Sequence, residues 1–250
     1  MQNVIPDWNG RQVKVARSLG GVLALEDFSD NLIHGDNRLW PSPSVAQKLY
    51  QSRQVNSFDP SVQTVITRRL GYYCDLQSLH SEDAITWSVF GTMACSPEDH
   101  QVRFSNWLLE QTELPWRNRG CVMELWRRIP HPDTLVSGGP EIDVIVQGDQ
   151  GVVLVEAKWR SSVAGRQGKL KDKDQIQLRC EFLAKYGSRV YGTSNFLVLG
   201  VGLEPVPLKD GASSVRVRWL TWEKICGYSG HPNGSEIGRY FQWKLEHTKR

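Results

Sequence analysis

The chain has no apolar run approaching the roughly 20 residues needed to span a bilayer. Its opening, Met-Gln-Asn-Val-Ile-Pro-Asp-Trp-Asn-Gly10, lacks the basic start and apolar stretch of a signal peptide. A cytoplasmic protein without membrane contact is therefore expected. Cysteine is sparse. Cys74, Cys95, Cys121, Cys180 and Cys226 are odd in number, scattered and free of any C-x-x-C spacing, which argues against a disulfide framework or a zinc site and leaves reduced core thiols. The six histidines form no metal-binding or Cys/His catalytic pattern. Gly138-Gly139-Pro140 is followed by a strand pattern and by no Gly-Lys-Ser/Thr, so it is a turn and not a phosphate-binding loop. Helix-turn-helix, zinc-finger and ATPase motifs, internal repeats and low-complexity tracts are all missing.

What is present is a globular composition. With 250 residues, 40% hydrophobic and 23% charged, the chain can bury one substantial core, or one core with a decorating extension. Ten tryptophans are many for this length; Trp87, Trp107, Trp126, Trp219 and Trp222 fall in expected helices or strands, where packing explains them better than base stacking.

The most informative stretch is Pro140-Glu-Ile-Asp-Val-Ile-Val-Gln-Gly-Asp-Gln-Gly-Val-Val-Leu-Val-Glu-Ala-Lys158. Two apolar, β-branched runs flank Gly-Asp-Gln-Gly, the pattern of a tight hairpin. A turn centred between Asp149 and Gln150 pairs positions whose numbers sum to 299, so Asp143 lies opposite Glu156. Directly opposed side chains stand about 4.5 to 5.5 Å apart at Cβ, where like charges repel. A divalent cation converts that cost into a binding site, because Mg²⁺ is held by one or two carboxylates with water and substrate phosphate. Lys158 shares the face of Glu156, since strand side chains repeat with a period of two. The other face, Ile142, Val144, Val146, Val153, Val155 and Ala157, is uniformly apolar and belongs in a core. Glu141 also points to the acidic face, but register sets it opposite Lys158 and so favours Asp143 as the ligand. A lone Glu-x-Lys on a strand is a common surface pair of small energetic weight. The opposed carboxylates set this segment apart.

The order Glu-Ile-Asp143, apolar hairpin, Val-Glu156-Ala-Lys158 resembles the PD-(D/E)xK signature of the restriction-endonuclease-like nucleases, over roughly residues 80 to 222. One departure is that Glu141 and Ile142 separate Pro140 from Asp143, whereas the proline of the motif usually touches the acid. The resemblance implies an α/β fold with a restriction-endonuclease-like core, in the order αβββαβ, with a mixed sheet flanked by helices. It implies a nuclease hydrolysing phosphodiester bonds, of DNA rather than RNA, in bacterial or phage-related defence, restriction or repair. Asp143 and Glu156 would hold Mg²⁺, for which Mn²⁺ substitutes, with the backbone carbonyl of Ala157 as a third protein ligand. Lys158 would orient the attacking water or stabilise the transition state. The alternative is a non-catalytic nucleic-acid-binding or assembly subunit that retains the nuclease fold.

Upstream, Ser81 to Cys95 reads as a helix with Ser81 as N-cap. Ile85, Trp87, Val89, Phe90, Met93 and Ala94 form one wide apolar arc, and Glu82 and Asp83 fall inside it. Acids in a first turn are ordinarily explained by the macrodipole. Relatives of the resembled family often add an acid from a helix ahead of the first sheet strand. Glu82 matches that role as a further catalytic and metal-binding acid, with Asp83 in reserve. Downstream, Asp174 to Gly187 reads as a helix with Ile176, Cys180 and Leu183 at helical spacing and Gly187 as its stop. Gln175 and Arg179 open it one turn apart, and the resemblance puts Gln175 near the metal or the phosphate.

Between Lys158 and this helix runs a basic loop. Residues 157 to 174 carry six basic side chains against Asp172 and Asp174, a local net charge of +4 in a chain whose total is +3. A basic loop beside proposed metal ligands suits a polyanionic substrate. Arg160, Arg166, Lys169, Lys171, Lys173, Gln175 and Arg179 are the expected nucleic-acid contacts, and Arg117, Arg119, Arg127 and Arg128 add basic character elsewhere.

Residues 1–60 read as an N-terminal accessory region, with a hairpin over Arg11 to Phe28 turning at Gly20-Gly21 and a polar connector from Asp30 to Ser44. Residues 61–225 form the nuclease-like domain and 226–250 a C-terminal helix and tail. Helices are expected over Val45 to Asn56, Ser61 to Leu79, Pro97 to Gln111 and Lys173 to Tyr186. Strands beyond the hairpin are expected over Cys121 to Ile129, Asn195 to Val201 and Val215 to Leu220. In the absence of a recognition motif, target choice falls to a protein partner, and a homo-oligomer is compatible with the sequence.

Overall fold

The computed structural model describes residues 3–18, 21–35, 39–51, 53–54, 73–130, 139–160, 173–205 and 215–249. They divide into two compact units, the first comprising Met1–Thr92 with Asn233–Arg250 and the second Met93–Pro232.

In the first unit, β1 (Asn3–Pro6), β2 (Gln12–Arg17) and β3 (Leu23–Leu25) form an antiparallel sheet in that order. The expected hairpin is β2 and β3. The additional strand β1 lies at an edge, the position where a proline such as Pro6 is tolerated. Helix α1 (Pro43–Gln51) is followed by a short antiparallel pair, β4 (Arg53–Gln54) and β5 (Tyr73–Cys74). The helix expected over Ser61 to Leu79 lies outside the described residues up to position 72. Beyond it the chain forms β5 and a 3-10 turn at Asp75–Gln77. The fully buried Gln77 amide imposes that turn: its oxygen accepts from Cys74 N at 3.0 Å, and its nitrogen donates to the carbonyls of Leu25 and Glu26, each at 3.1 Å.

Helix α2 comprises Glu82–Thr86, a π turn at Trp87–Gly91 and Thr92–Ala94. The C-terminal helix Gly234–His247 belongs to the first unit and is no appended tail. Trp243 Nε1 donates to Pro6 O at 2.8 Å, Tyr240 OH to Asn31 O at 3.0 Å, and the buried Lys244 Nζ to Leu79 O at 2.5 Å.

In the second unit, α3 (Glu98–Gln111) leads into a five-stranded mixed sheet. Its strands are β6 (Cys121–Arg128), β7 (Glu141–Gly148), β8 (Val152–Ala157), β9 (Phe196–Gly202) and β10 (Arg216–Thr221), in the spatial order β10-β9-β8-β7-β6. β6, β7 and β8 are antiparallel neighbours, whereas β9 and β10 run parallel to β8. Helix α4 (residues 175–191) lies between β8 and β9 in sequence and α5 (Trp222–Cys226) follows β10. The chain is thus α/β, a mixed sheet flanked by helices, and β10 is one strand more than the αβββαβ order expected.

Helix α4 runs further than its sequence suggests. After Gln175–Phe182, a π turn at Leu183–Gly187 carries it through the expected stop, and Ser188–Tyr191 completes it. Apolar packing explains the extension, because Phe182 and Leu183 join the core on this side and Tyr186 and Tyr191 pack against it. The stop is Gly192, whose φ of +69° is the left-handed cap that glycine adopts without steric cost.

Every residue of β8 and β9 is buried, as expected of strands covered on both faces. On one face Ile145, Val152, Leu154, Phe196 and Val198 pack with Ile176, Phe182 and Leu183 of α4. Ile142 joins this cluster too, although strict alternation puts it on the opposite face. Among the described residues no helix is long and apolar enough to cross a membrane. The five cysteines are free thiols, with Cys74, Cys121 and Cys226 buried.

Candidate active site

The hairpin of β7 and β8 has the register read from its sequence. Gly148 N donates to Gly151 O at 2.9 Å across the Asp149-Gln150 turn, and the pairs Gln147–Val152, Val146–Val153, Ile145–Leu154 and Val144–Val155 follow. Asp149 fastens the turn by accepting from Arg119 N at 2.8 Å, a bond that holds its carboxyl below the usual range.

Beyond Val144–Val155 the two strands part. The backbone N–H of Ala157, which an uninterrupted ladder would direct to Ile142, donates to Asp143 Oδ2 at 2.7 Å. On its other side β7 is interrupted at the same level. β6 pairs Leu125 with Val144 and Arg127 with Ile142 but skips Trp126 and Asp143, and Trp126 has a φ of +55°. A non-glycine residue in that region costs on the order of 1–3 kcal/mol, and such strain concentrates at functional sites. Asp143 therefore sits where both ladders of its strand are broken, with its carboxylate doing the work of a backbone carbonyl.

Glu156 is nearly inaccessible, its side chain 2% exposed, and it accepts from two cations. Lys158 Nζ lies 3.0 Å from Oε1 and Arg179 Nη2 lies 3.2 Å from Oε2. Burying a carboxylate is costly unless it is paired and hydrogen-bonded, and these two partners meet that need. The same Nη2 donates to Glu141 O at 2.7 Å, so the guanidinium bridges β7 and β8 across their gap. Arg179 is itself 2% exposed, and its Nε and Nη1 have no hydrogen-bond partner among the described residues. Lys158 is fixed at its backbone by N–H donation to Val201 O at 2.7 Å and by Trp222 Nε1, which donates to Lys158 O at 2.8 Å.

The structure thus brings together Asp143, Glu156, Ala157, Lys158 and Arg179. Arg179 was expected on a nucleic-acid surface; its position is interior, beneath Glu156. Gln175 is half-buried at the start of α4, one residue after the N-cap Asp174. Lys173 Nζ pairs with Glu181 Oε2 at 2.8 Å, and the guanidinium of Arg160 lies 5.9 Å from the centre of the Trp159 ring. Arg166, Lys169 and Lys171 lie outside the described residues. Glu82 and Asp83 belong to the first unit, where Ser81 Oγ caps α2 by accepting from Ala84 N and Asp83 pairs with Lys48 at 3.1 Å. Two contributors had no sequence signal as site residues: Trp126, through its backbone, and Trp222, through its indole.

Among the described residues no three His, Cys, Asp or Glu side chains group closely enough to hold a metal ion. The local donor set is nevertheless of the right chemistry for a hard cation: two carboxylates plus backbone oxygen. Within a strand the N–H and C=O of one residue point to the same side. Because Ala157 N–H points at Asp143, the Ala157 carbonyl is directed to that side as well. Comparison with known proteins found no matching family model, no matching curated protein and no matching solved structure.

Proposed function

We propose that the second unit is a metal-dependent nuclease with a restriction-endonuclease-like core, hydrolysing phosphodiester bonds of DNA in defence, restriction or repair. The observation that carries this reading is the parting of β7 and β8 at Asp143, which leaves two carboxylates and a lysine at one broken point of the sheet. A merely structural hairpin gains nothing from two acids at a gap in its ladder or from a strained Trp126 on the neighbouring strand. Asp143, Glu156 and the Ala157 carbonyl would hold Mg²⁺ or Mn²⁺, which when bound supplies Lewis acidity and an activated water. Lys158, held by Glu156, presents its ammonium to the attacking water or to the charge that develops on the phosphate. Arg179 acts through Glu156 as a positioning residue, fixing that carboxylate and tying it to Glu141 O. The basic loop and a protein partner would supply substrate affinity and target choice.

Incubating plasmid and linear DNA with the parent protein, Asp143→Ala and Lys158→Ala, with Mg²⁺ or Mn²⁺, tests this directly. Only the parent should cut. Equal cleavage by all three removes the site from the reaction.

One observation favours a second reading, a nucleic-acid-binding or assembly subunit without turnover. Both oxygens of Glu156 already face a cation, so its charge is compensated without a metal. Binding that falls steeply with salt, without cleavage in either metal, would establish that alternative.

A further inference from the structure

A groove of about 790 Å³ runs over the second unit between the edge of its sheet and the last turns of α4. Its walls alternate cations with rings. Arg127 and Arg128 come from the end of β6, and Tyr186, Arg189 and Tyr191 come from α4. The Arg189 guanidinium lies 5.7 Å from the centre of the Tyr186 ring. Phe182 stands behind both tyrosines, with ring centroids 6.0 Å from Tyr186 and 6.5 Å from Tyr191. Among the described lining residues three arginines face one acid, Glu124, which lies 3.4 Å from Arg127 Nε in an exposed pair. Exposed pairs of this kind are weak and are readily exchanged for a phosphate.

The floor of the groove points to the candidate active site. Ile145 and Gln147 of β7 line it, two and four residues from Asp143 along the strand. At about 3.4 Å per residue, Ile145 lies about 7 Å and Gln147 about 14 Å from Asp143. Arg127 and Arg128 stand in register with Ile142 and Glu141, at the same end of β7 as Asp143.

We propose that this groove binds an unpaired stretch of a nucleic-acid strand and leads it along β7 toward Asp143. The inference rests on the nuclease reading for its direction, but not for its chemistry. Tyr186 and Tyr191 pack against the core on one side and line the groove with the remainder of their rings, where unpaired bases can stack, and guanidinium groups bind the phosphates between them. A duplex keeps its base faces stacked internally and has no use for these rings. The volume lies in the range of pockets that hold small ligands, too small for a duplex and sufficient for a short strand.

Fluorescence anisotropy on the full chain in metal-free buffer tests the proposal, with a labelled oligothymidylate and a duplex of the same length as probes. Arg189→Ala and Tyr186→Ala should each weaken single-strand binding on the order of tenfold, and change duplex binding by no more than about twofold. Arg127→Glu, at a 63% exposed side chain, should weaken it as well and flatten its salt dependence. Should Tyr186→Ala fail to fold, the two arginine variants carry the test. Unchanged single-strand affinity, or an equal loss for both probes, overturns the groove. A parent protein that binds through the groove yet never cuts with Mg²⁺ or Mn²⁺ sinks the nuclease reading and leaves the groove standing.

Discussion

Replacing Glu156 by Gln removes one negative charge and almost no volume, and it strikes the point where two cations converge. Arg179 loses an ionised acceptor at 3.2 Å in a setting where it is only 2% exposed. Lys158, 12% exposed, loses a partner at 3.0 Å but has a path to solvent. The cost therefore falls mainly on Arg179. Removing one partner of a buried ion pair typically destabilises by about 3–5 kcal/mol, because the remaining charge stays buried and uncompensated. For a unit of this size about 1 kcal/mol corresponds to roughly 2–4 °C, so the melting temperature should fall by roughly 6–20 °C. Arg179→Met tests the cause, since the double variant Glu156→Gln/Arg179→Met no longer buries an unpaired guanidinium. It should be less destabilised than the sum of the single variants by at least about 1 kcal/mol. Urea unfolding of the four proteins closes the cycle. Additivity within about 0.5 kcal/mol, or a silent Glu156→Gln, would refute the view that this pair is what makes the burial of Glu156 tolerable.

Other consequences are open to measurement. If Asp143 and Glu156 hold a divalent cation, millimolar Mg²⁺ should raise the melting temperature of the parent and leave that of Asp143→Asn unmoved; equal shifts would place the ion elsewhere. Gly200 on β9 lies under Trp219 of β10, and an added Cβ would stand 1.9 Å from the indole. Gly200→Ala should thus cost about 1–3 kcal/mol or more by overpacking, and an unchanged urea midpoint would contradict that contact. Burial pushes the Lys244 ammonium down to about 7 from 10.5. Between those values the unfolded chain binds the additional proton, so stability should rise with pH across that window. The hydrogen bond to Leu79 O opposes the shift, and the gain should stay below roughly 5 kcal/mol. Lys244→Met should flatten this slope, and a variant that keeps it would assign the effect to another group.

Much of the second unit was legible because its information is local. The Asp149-Gln150 turn and the β-branched alternation fix the hairpin register, and register alone sets Asp143 and Glu156 on adjoining strands. Strands β6, β9 and β10 fall within a residue or so of their expected limits for the same reason. What could not be read depends on long-range contacts. Arg179 looks like a solvent-facing arginine on a helix start until α4 docks and covers Glu156 with it. The course of α4 past Gly187 is decided by tertiary packing, which overrides a local stop signal. The positive φ at Trp126 has no counterpart in composition, because tryptophan carries no preference for it. In the first unit, the 3-10 turn at Asp75–Gln77 replaces part of an expected helix because one buried amide reaches β3, some fifty residues earlier in the chain.

The gap between β7 and β8 also bears on the order in which the chain assembles. Asp143 and Glu156 are joined by a tight turn, and a hairpin of this kind closes within about 1–10 μs. Arg179 lies 23 residues beyond Glu156, and the parallel partners Val152 and Phe196 are further apart still. Long-range closures come later, because chain entropy must be surrendered before any contact rewards it. By this reasoning the hairpin that carries both acids is expected to close before the arginine is placed. Lys158, two residues from Glu156, is then expected to be its first cation, with the guanidinium added when the later helix docks.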